Sequence, residues 1–520
     1  LYVCVILDFL RGSRMTDTVT DWIAHHAITT PGKTATIDLA SDRRHDYAQM
    51  NERVGRIAGF LRGAGVKKGD RVGLIALNSS DVLDIIFATW RIGAVHLALN
   101  FRLTATELTF IVGDAAPKLV IADIAFSEVV DVLKAETPDV RWVSTDGLGG
   151  DTEFEKGIAG AEHIAEMVPL SPAEQAMLMY SSGTTGRPKG VVLTHGNMLA
   201  AVINEAINFE ADRNTVSYAV MPLFHIGAMM GFSVPAMFFG ATAVIERVFE
   251  PGAMLEAISC EEFGVTHFLG LPAVYNALAM HPNYKEADFS RIVIAAGGAE
   301  PMPEPLLRSW YEHGVPIVEV YGMTEVCGLA CSLLREDVPD KIGSAGKAAM
   351  FIDMKIMKSD MEEAAPGEQG EIWMRGANVT PGYWQRPEAN ETSFSGDWLK
   401  SGDIGRKDER GYIYIDDRIK DMYISGGENV YPAEVENILY LMPQISEVAV
   451  VGVPDPKWGE TGCAVVVLKE GQELDLESLQ RHCEQHLARY KHPQRLVIQA
   501  ELPRNATGKV LKFQIREDLA

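Results

Sequence analysis

Residues 180–190 read YSSGTTGRPKG and directly follow the apolar run AMLMY. Gly183, Gly186 and Gly190 let the backbone turn tightly and aim successive N–H groups at one spot. Ser181, Ser182, Thr184 and Thr185 add hydroxyl donors, and Arg187 and Lys189 add positive charge. That chemistry suits a polyphosphate. The segment is not a Walker loop, which needs Ser or Thr directly after its Lys, whereas Gly190 follows Lys189. Local composition alone would also fit an ordinary surface loop; the hydroxyl density and two cations behind a buried strand favour phosphate.

Four more segments follow in order: YGMTE (321–325), SGDIG (401–405), DDRIKDMYISGGENVYPAEVE (416–436) and PRNATGKVLK (503–512). Together with the loop they resemble the adenylate-forming superfamily of acyl-CoA synthetases, luciferases and nonribosomal-peptide adenylation domains, in particular bacterial fatty or aromatic acid:CoA ligases. The resemblance covers nearly the whole chain from Thr16.

The resemblance assigns Ser181, Ser182, Gly183, Thr184, Thr185, Gly186 and Lys189 to the nucleotide phosphates, with Thr184 and Glu325 toward Mg²⁺. In YGMTE, Tyr321 offers a flat face for adenine beside Gly322, Thr324 a hydroxyl for the α-phosphate, and Glu325 a hard oxygen ligand. Asp403 is similar to the family's ribose ligand, because a carboxylate accepts from both the 2′ and 3′ hydroxyls; local composition would equally fit a turn Asp beside Gly402. Arg418 resembles the arginine that contacts ribose or phosphate. Gly298, Ala299 and Glu300 resemble the loop along the adenine edge, in a run GGAEPMP that differs from the shorter GGAPMP of some relatives. Lys509 is similar to the lysine that contacts the substrate carboxylate and the α-phosphate.

The implied reaction has two halves. A carboxylate attacks the α-phosphate of ATP and expels pyrophosphate; the coenzyme A thiol then attacks the acyl carbon and releases AMP. Lys509, Thr184, Glu325 and His225 are the expected catalytic residues. Two constellations sharing one site imply a small domain that rotates about a hinge, for which Lys420 matches the family position. Gly426 and Gly427 would then line the pantetheine path. Arg102 and Lys491 resemble contacts to the phosphates of coenzyme A, although His492 and Gln494 stand where some relatives carry Arg and Lys.

His225 lies in MPLFHIGAMMGF, a segment that resembles the acyl-pocket gate; a hydrogen-bonded core histidine is the other reading of a lone His among apolar residues. Residues 221–233 contain no Asp, Glu or Arg, which disfavours an amino acid or a malonate-type diacid. Ile226, Met229, Met230, Ala295 and Met323 suggest a wall for an apolar monocarboxylate, fatty or aromatic.

These residues need a scaffold. Between Arg71 and about Val320, runs such as VGLIAL, KLVIA, SYAVM, TAVIE, VTHFL and RIVIA alternate with helical patterns, the signature of helix-covered sheets. An α/β lobe is expected over 15–418, with a β-rich subdomain at 343–418. A small mobile α+β domain at 419–520 would follow, with a helix from Leu476 to about Arg489. Residues 1–14 read as a non-native leader, with Met15 as the start.

The chain has 520 residues, 47% of them hydrophobic, and a formal charge of −24, which argues against nucleic-acid binding through a broad basic face. No run suits a membrane span, and six cysteines without C-x-x-C spacing fit a reducing cytoplasm. Cys327 and Cys331 read as packing thiols, and His482 and His486 as a solvated helix face. The substrate partners are a carboxylic acid, ATP and coenzyme A, with a homodimer left open. The competing functions are acyl transfer to a carrier-protein thiol, luciferase-like oxidation, and nucleotide binding without catalysis.

Overall fold

The computed structural model describes residues 18–181, 188–418, 421–425, 428–455, 459–484, 486–504 and 509–519. The strand-rich runs of the first 350 residues build two sheets. One has six strands in the order Arg141–Thr145, Leu119–Asp123, Arg71–Ile75, Val95–Ala98, Gln175–Ser181, Lys189–Thr194. All its pairings are parallel except the last, so the edge strand returns antiparallel. Every residue of Leu119–Asp123 and Val95–Ala98 is buried, as strands covered on both faces require.

The second sheet has nine strands, with Ile317–Tyr321, Ile294–Gly298, His267–Gly270, Val216–Ala219 and Thr242–Ile245 adjacent and parallel at its centre. A large apolar core lies between the two sheets. It includes Val72, Leu74 and Met177 from one, Ala219, Ala243 and Ile245 from the other, and the buried faces of Tyr47–Gly63 and His195–Asn208. Both helices begin with reciprocal caps, Asp46 with Gln49 and Thr194 with Asn197. The second cap fixes where the chain leaves the strand Lys189–Thr194.

The expected β-rich segment forms a five-stranded antiparallel sheet, with Trp398–Lys407 pairing Gln369–Gly376 on one side and Ile413–Arg418 on the other. After it comes a separate sheet of Glu428–Val430, Tyr423–Ser425, Gly459–Leu468, Ile445–Asp455 and Arg495–Ile498. Its two apolar clusters draw only on residues from Tyr423 onward, while those of the large lobe end by Ile415.

One helix is shorter than its pattern predicts. It spans Leu476–Cys483, because the Cys483 carbonyl accepts from both His486 and Leu487 and closes the last turn, and Arg489–Lys491 forms a separate 3-10 turn. His482 is not simply solvated: it is half-buried and its Nε2 lies 2.9 Å from the Ile438 carbonyl. Cys327 and Cys331 are fully buried, and the five described cysteines are free thiols. Among the described residues no helix is long and apolar enough to cross a membrane.

Candidate active site

The strands that flank residues 182–188 pair antiparallel, with Ser181 opposite Lys189 and Tyr180 opposite Gly190. Residues Ser182, Gly183, Thr184, Thr185 and Gly186 lie outside the described residues. The edge of this sheet is closed by residues 380–384: Trp384 N–H donates to Gly190 O (2.7 Å), Val192 N–H to Gly382 O (3.1 Å), and Thr380 Oγ1 to Val192 O (2.6 Å). A Cβ on Gly190 would stand 3.0–3.2 Å from Leu178, Tyr180 and Trp384, so packing as well as flexibility calls for glycine.

Tyr383, carried on that closing segment, was not singled out from sequence. Its hydroxyl donates to Glu325 Oε1 at 3.1 Å, Ser181 Oγ donates to the same oxygen at 3.3 Å, and Lys189 Nζ sits 5.2 Å from the Tyr383 ring centroid. Glu325 occupies the short turn Thr324–Val326 and is buried, which raises its carboxyl above the usual range. Thr380 N–H fixes the turn by donating to the Glu325 carbonyl at 2.7 Å. Gly322 is compelled: a Cβ there would fall 1.6 Å from the Gly328 carbonyl oxygen.

Tyr321 ends a central strand, and its hydroxyl donates to Asp403 Oδ2 at 2.7 Å. Asp403 and Arg418 are register partners on antiparallel strands, and Arg418 Nε lies 3.3 Å from Asp403 Oδ1. Asp403 Oδ2 thus accepts from Tyr321 while Oδ1 is ion-paired with Arg418, and a carboxylate so placed has further acceptor capacity for a diol. Beside them Gly298 packs so tightly that a Cβ would meet the Val320 carbonyl oxygen at 2.3 Å, and Ala299 takes a left-handed φ of 65°. Glu300 has a buried Oε1 without a hydrogen-bond partner, and burial raises its carboxyl.

Lys509 reaches this group from the far end of the chain. Burial pushes its ammonium down to about 8, helped by Arg418 and opposed by Glu300, Asp403 and Glu325. Lys509 therefore feels acids of the large lobe although it follows the small sheet in sequence. In the reaction that the sequence resemblance implies, adenylation by the free enzyme should accordingly decline as pH rises through about 8, where Lys509 loses its proton, and Lys509→Arg should flatten that limb at a lower overall rate. The check is kcat/KM for pyrophosphate release between pH 6 and 10; an unchanged alkaline limb in the arginine variant would refute the assignment.

His225 precedes the turn Ile226–Ala228 and is half-buried. Burial first, then the charges of Lys509 and Arg102, lower it to about 4, so it is neutral near pH 7 and lies at the site's edge. Behind it, Met229–Ser233 departs from helical geometry, with Phe232 at φ 80°. Ile226, Met229 and Met230 pack in the central core, and Gly328 comes within 3.2 Å of Met230 when a Cβ is placed on it, bringing the Met323 turn alongside. Ala295 belongs to a different cluster with Tyr218 and Phe268, while Met323 packs against a third.

Of the residues expected to meet coenzyme A, Arg102 is exposed with its guanidinium 5.7 Å from the Phe101 ring centroid. Lys491 is occupied by Glu434, 2.6 and 2.7 Å from its two carboxylate oxygens. Gly426, Gly427 and Lys420 lie outside the described residues. Among the described residues no group of three or more His, Cys, Asp or Glu side chains could hold a metal by itself.

The family model of the AMP-binding enzyme matches residues 23–384, and that of the AMP-binding enzyme C-terminal domain matches residues 434–509. The chain belongs to the AMP-binding enzyme family. It is 38% identical over 471 residues to a feruloyl-CoA synthase of an Amycolatopsis species, covering 90% of this chain and 93% of that protein. It is 36% identical over 495 residues to the long-chain-fatty-acid–CoA ligase FadD13 of Mycobacterium tuberculosis, covering 95% and 97%. Among solved structures it resembles the o-succinylbenzoate CoA synthetase MenE of Bacillus subtilis in complex with its acyl-adenylate intermediate, with a TM-score of 0.86, 32% identity and coverage of 96% and 98%. That synthetase has also been solved with ATP and a magnesium ion.

Proposed function

We propose that this AMP-binding enzyme is an ATP- and Mg²⁺-dependent acid:CoA ligase whose acid is an apolar monocarboxylate, fatty or aromatic. The observation that carries the reading is the convergence of Lys509, from the small C-terminal unit, on Glu325, Asp403 and Arg418 of the large lobe. The lack of Asp, Glu and Arg in 221–233 supports the acid class, as do relatives named for ferulate and for long-chain fatty acids. The separation of apolar cores between Ile415 and Tyr423 supports a domain boundary at 418/419 with the hinge at Lys420.

In this reading the acid's carboxylate oxygen attacks the α-phosphorus and the bond to pyrophosphate breaks. Lys509 offsets the negative charge that develops there. Mg²⁺, when bound at Glu325, neutralises charge on the triphosphate. Asp403 and Arg418 hold the ribose, and the hydroxyls and Lys189 of the hairpin loop hold the phosphates. The coenzyme A thiol then attacks the acyl carbon and AMP leaves. Neither half needs a strong general base, because the first nucleophile is already anionic and a thiol of pKa about 8.5 is partly ionised near neutrality.

The test is pyrophosphate release across short, medium, long and aromatic acids, with and without coenzyme A, with thioester detected by mass. Release with thioester for apolar acids is expected; release confined to amino acids or diacids would overturn the acid class. At the ribose, Asp403→Ala should raise KM for ATP roughly 10- to 100-fold and abolish discrimination against 2′-deoxy-ATP. Retained discrimination would remove Asp403 from the ribose.

A further inference from the structure

The helix Pro432–Leu439, the first helix of the small unit, begins without a side-chain cap from its own N-cap residue, Tyr431. Its Ala433 N–H instead donates to Asp417 Oδ2 at 2.9 Å, and Asp417 Oδ1 accepts from Arg418 N–H at 2.7 Å. Asp417 is buried on the last strand of the large lobe, Ile413–Arg418, three residues before Lys420. One turn into the capped helix, Glu436 Oε1 accepts from Val450 N–H at 2.7 Å and pairs with Lys512 Nζ at 2.8 Å. Lys512 opens the final helix, three residues after Lys509, and Arg516 on that helix pairs with Asp421 at 2.6 Å. The Asp417 and Asp421 charges both act on the Lys512 ammonium and favour its charged form.

A carboxylate on the large-lobe side of the proposed hinge therefore holds a helix N-terminus, and faces a buried ion pair, on the other side. Turning the small unit about Lys420 would part Asp417 from Ala433. We propose that Asp417 is a positioning residue for adenylation: it caps the helix Pro432–Leu439 across the hinge and, through Glu436 and Lys512, holds Lys509 in the nucleotide site. Asp417 does not touch substrate, and its action is through Lys509. The proposal rests on the ligase reading above and on Lys420 as the hinge.

The experiment compares wild type, Asp417→Ala and Asp417→Asn in the two half-reactions separately. Single-turnover pyrophosphate release without coenzyme A should fall roughly 3- to 30-fold in the alanine variant, the loss expected for a cap of this kind, and less in asparagine, which keeps an acceptor. Thioester formation from supplied acyl-adenylate should stay within about twofold. Lys509 should also become several-fold more reactive toward an amine-acylating reagent, read by peptide mass, while Lys189 and Lys491 do not change. Equal loss in both half-reactions, unchanged pyrophosphate release, or a uniform rise in lysine labelling would overturn the proposal. Absence of pyrophosphate release in the wild type would instead refute the ligase reading itself.

Discussion

Replacing Lys509 by alanine is expected to slow adenylate formation by about 10²- to 10³-fold, the range for losing one charge aimed at the developing negative charge of a transition state. The same variant should convert supplied acyl-adenylate to thioester at close to the wild-type rate. The asymmetry follows from where Lys509 sits: it is half-buried and feels Arg418, Glu300, Asp403 and Glu325, the groups proposed to surround the nucleotide. In the proposed alternation the small unit has turned when the thiol attacks the acyl carbon and AMP leaves, so Lys509 is no longer aimed at the α-phosphate. A bulky residue at Gly427 is expected to give the opposite pattern, sparing pyrophosphate release and blocking thiol attack. Single-turnover measurements of the two halves decide; equal loss of both in both variants contradicts division of labour between two loops of one small unit.

The second large effect is expected at Glu325. Glu325→Gln keeps the volume and one acceptor oxygen for Ser181 and Tyr383 but removes the charge offered to Mg²⁺. Pyrophosphate release should fall about 10²-fold or more, and half-saturation by Mg²⁺ should rise at least about tenfold, because a hard cation loses its anionic protein ligand. Tyr383→Phe removes one hydroxyl from the same oxygen and should cost only about 3- to 10-fold. A titration of Mg²⁺ at fixed ATP separates the cases. Unchanged Mg²⁺ half-saturation in Glu325→Gln would mean that Glu325 is a buried structural acid.

The parts of this site legible in the sequence are those whose chemistry is local. Apolar runs such as KLVIA locate central strands because both faces are covered. The pairing of Asp403 with Arg418 was within reach through the hairpin texture of that region. Tyr383 was not, because its role depends on residues 380–384 closing a sheet edge built from strands almost 200 residues earlier, and on a turn 58 residues before it. For Lys491 the sequence shows a cation but not Glu434, 57 residues away, which occupies it. The methionines of 229–230 were recognisable as buried, but apolar character alone does not separate a pocket wall from the core in which the structure packs them.

The central claim is that the acid's own oxygen becomes bonded to the α-phosphorus of ATP. The direct measurement uses a competent acid labelled with ¹⁸O in both carboxylate oxygens, turned over with ATP and coenzyme A, with AMP and pyrophosphate analysed by mass. The account predicts one ¹⁸O in AMP, the other retained in the thioester carbonyl, and none in pyrophosphate. Label in inorganic phosphate accompanied by ADP, or unlabelled AMP, would contradict it.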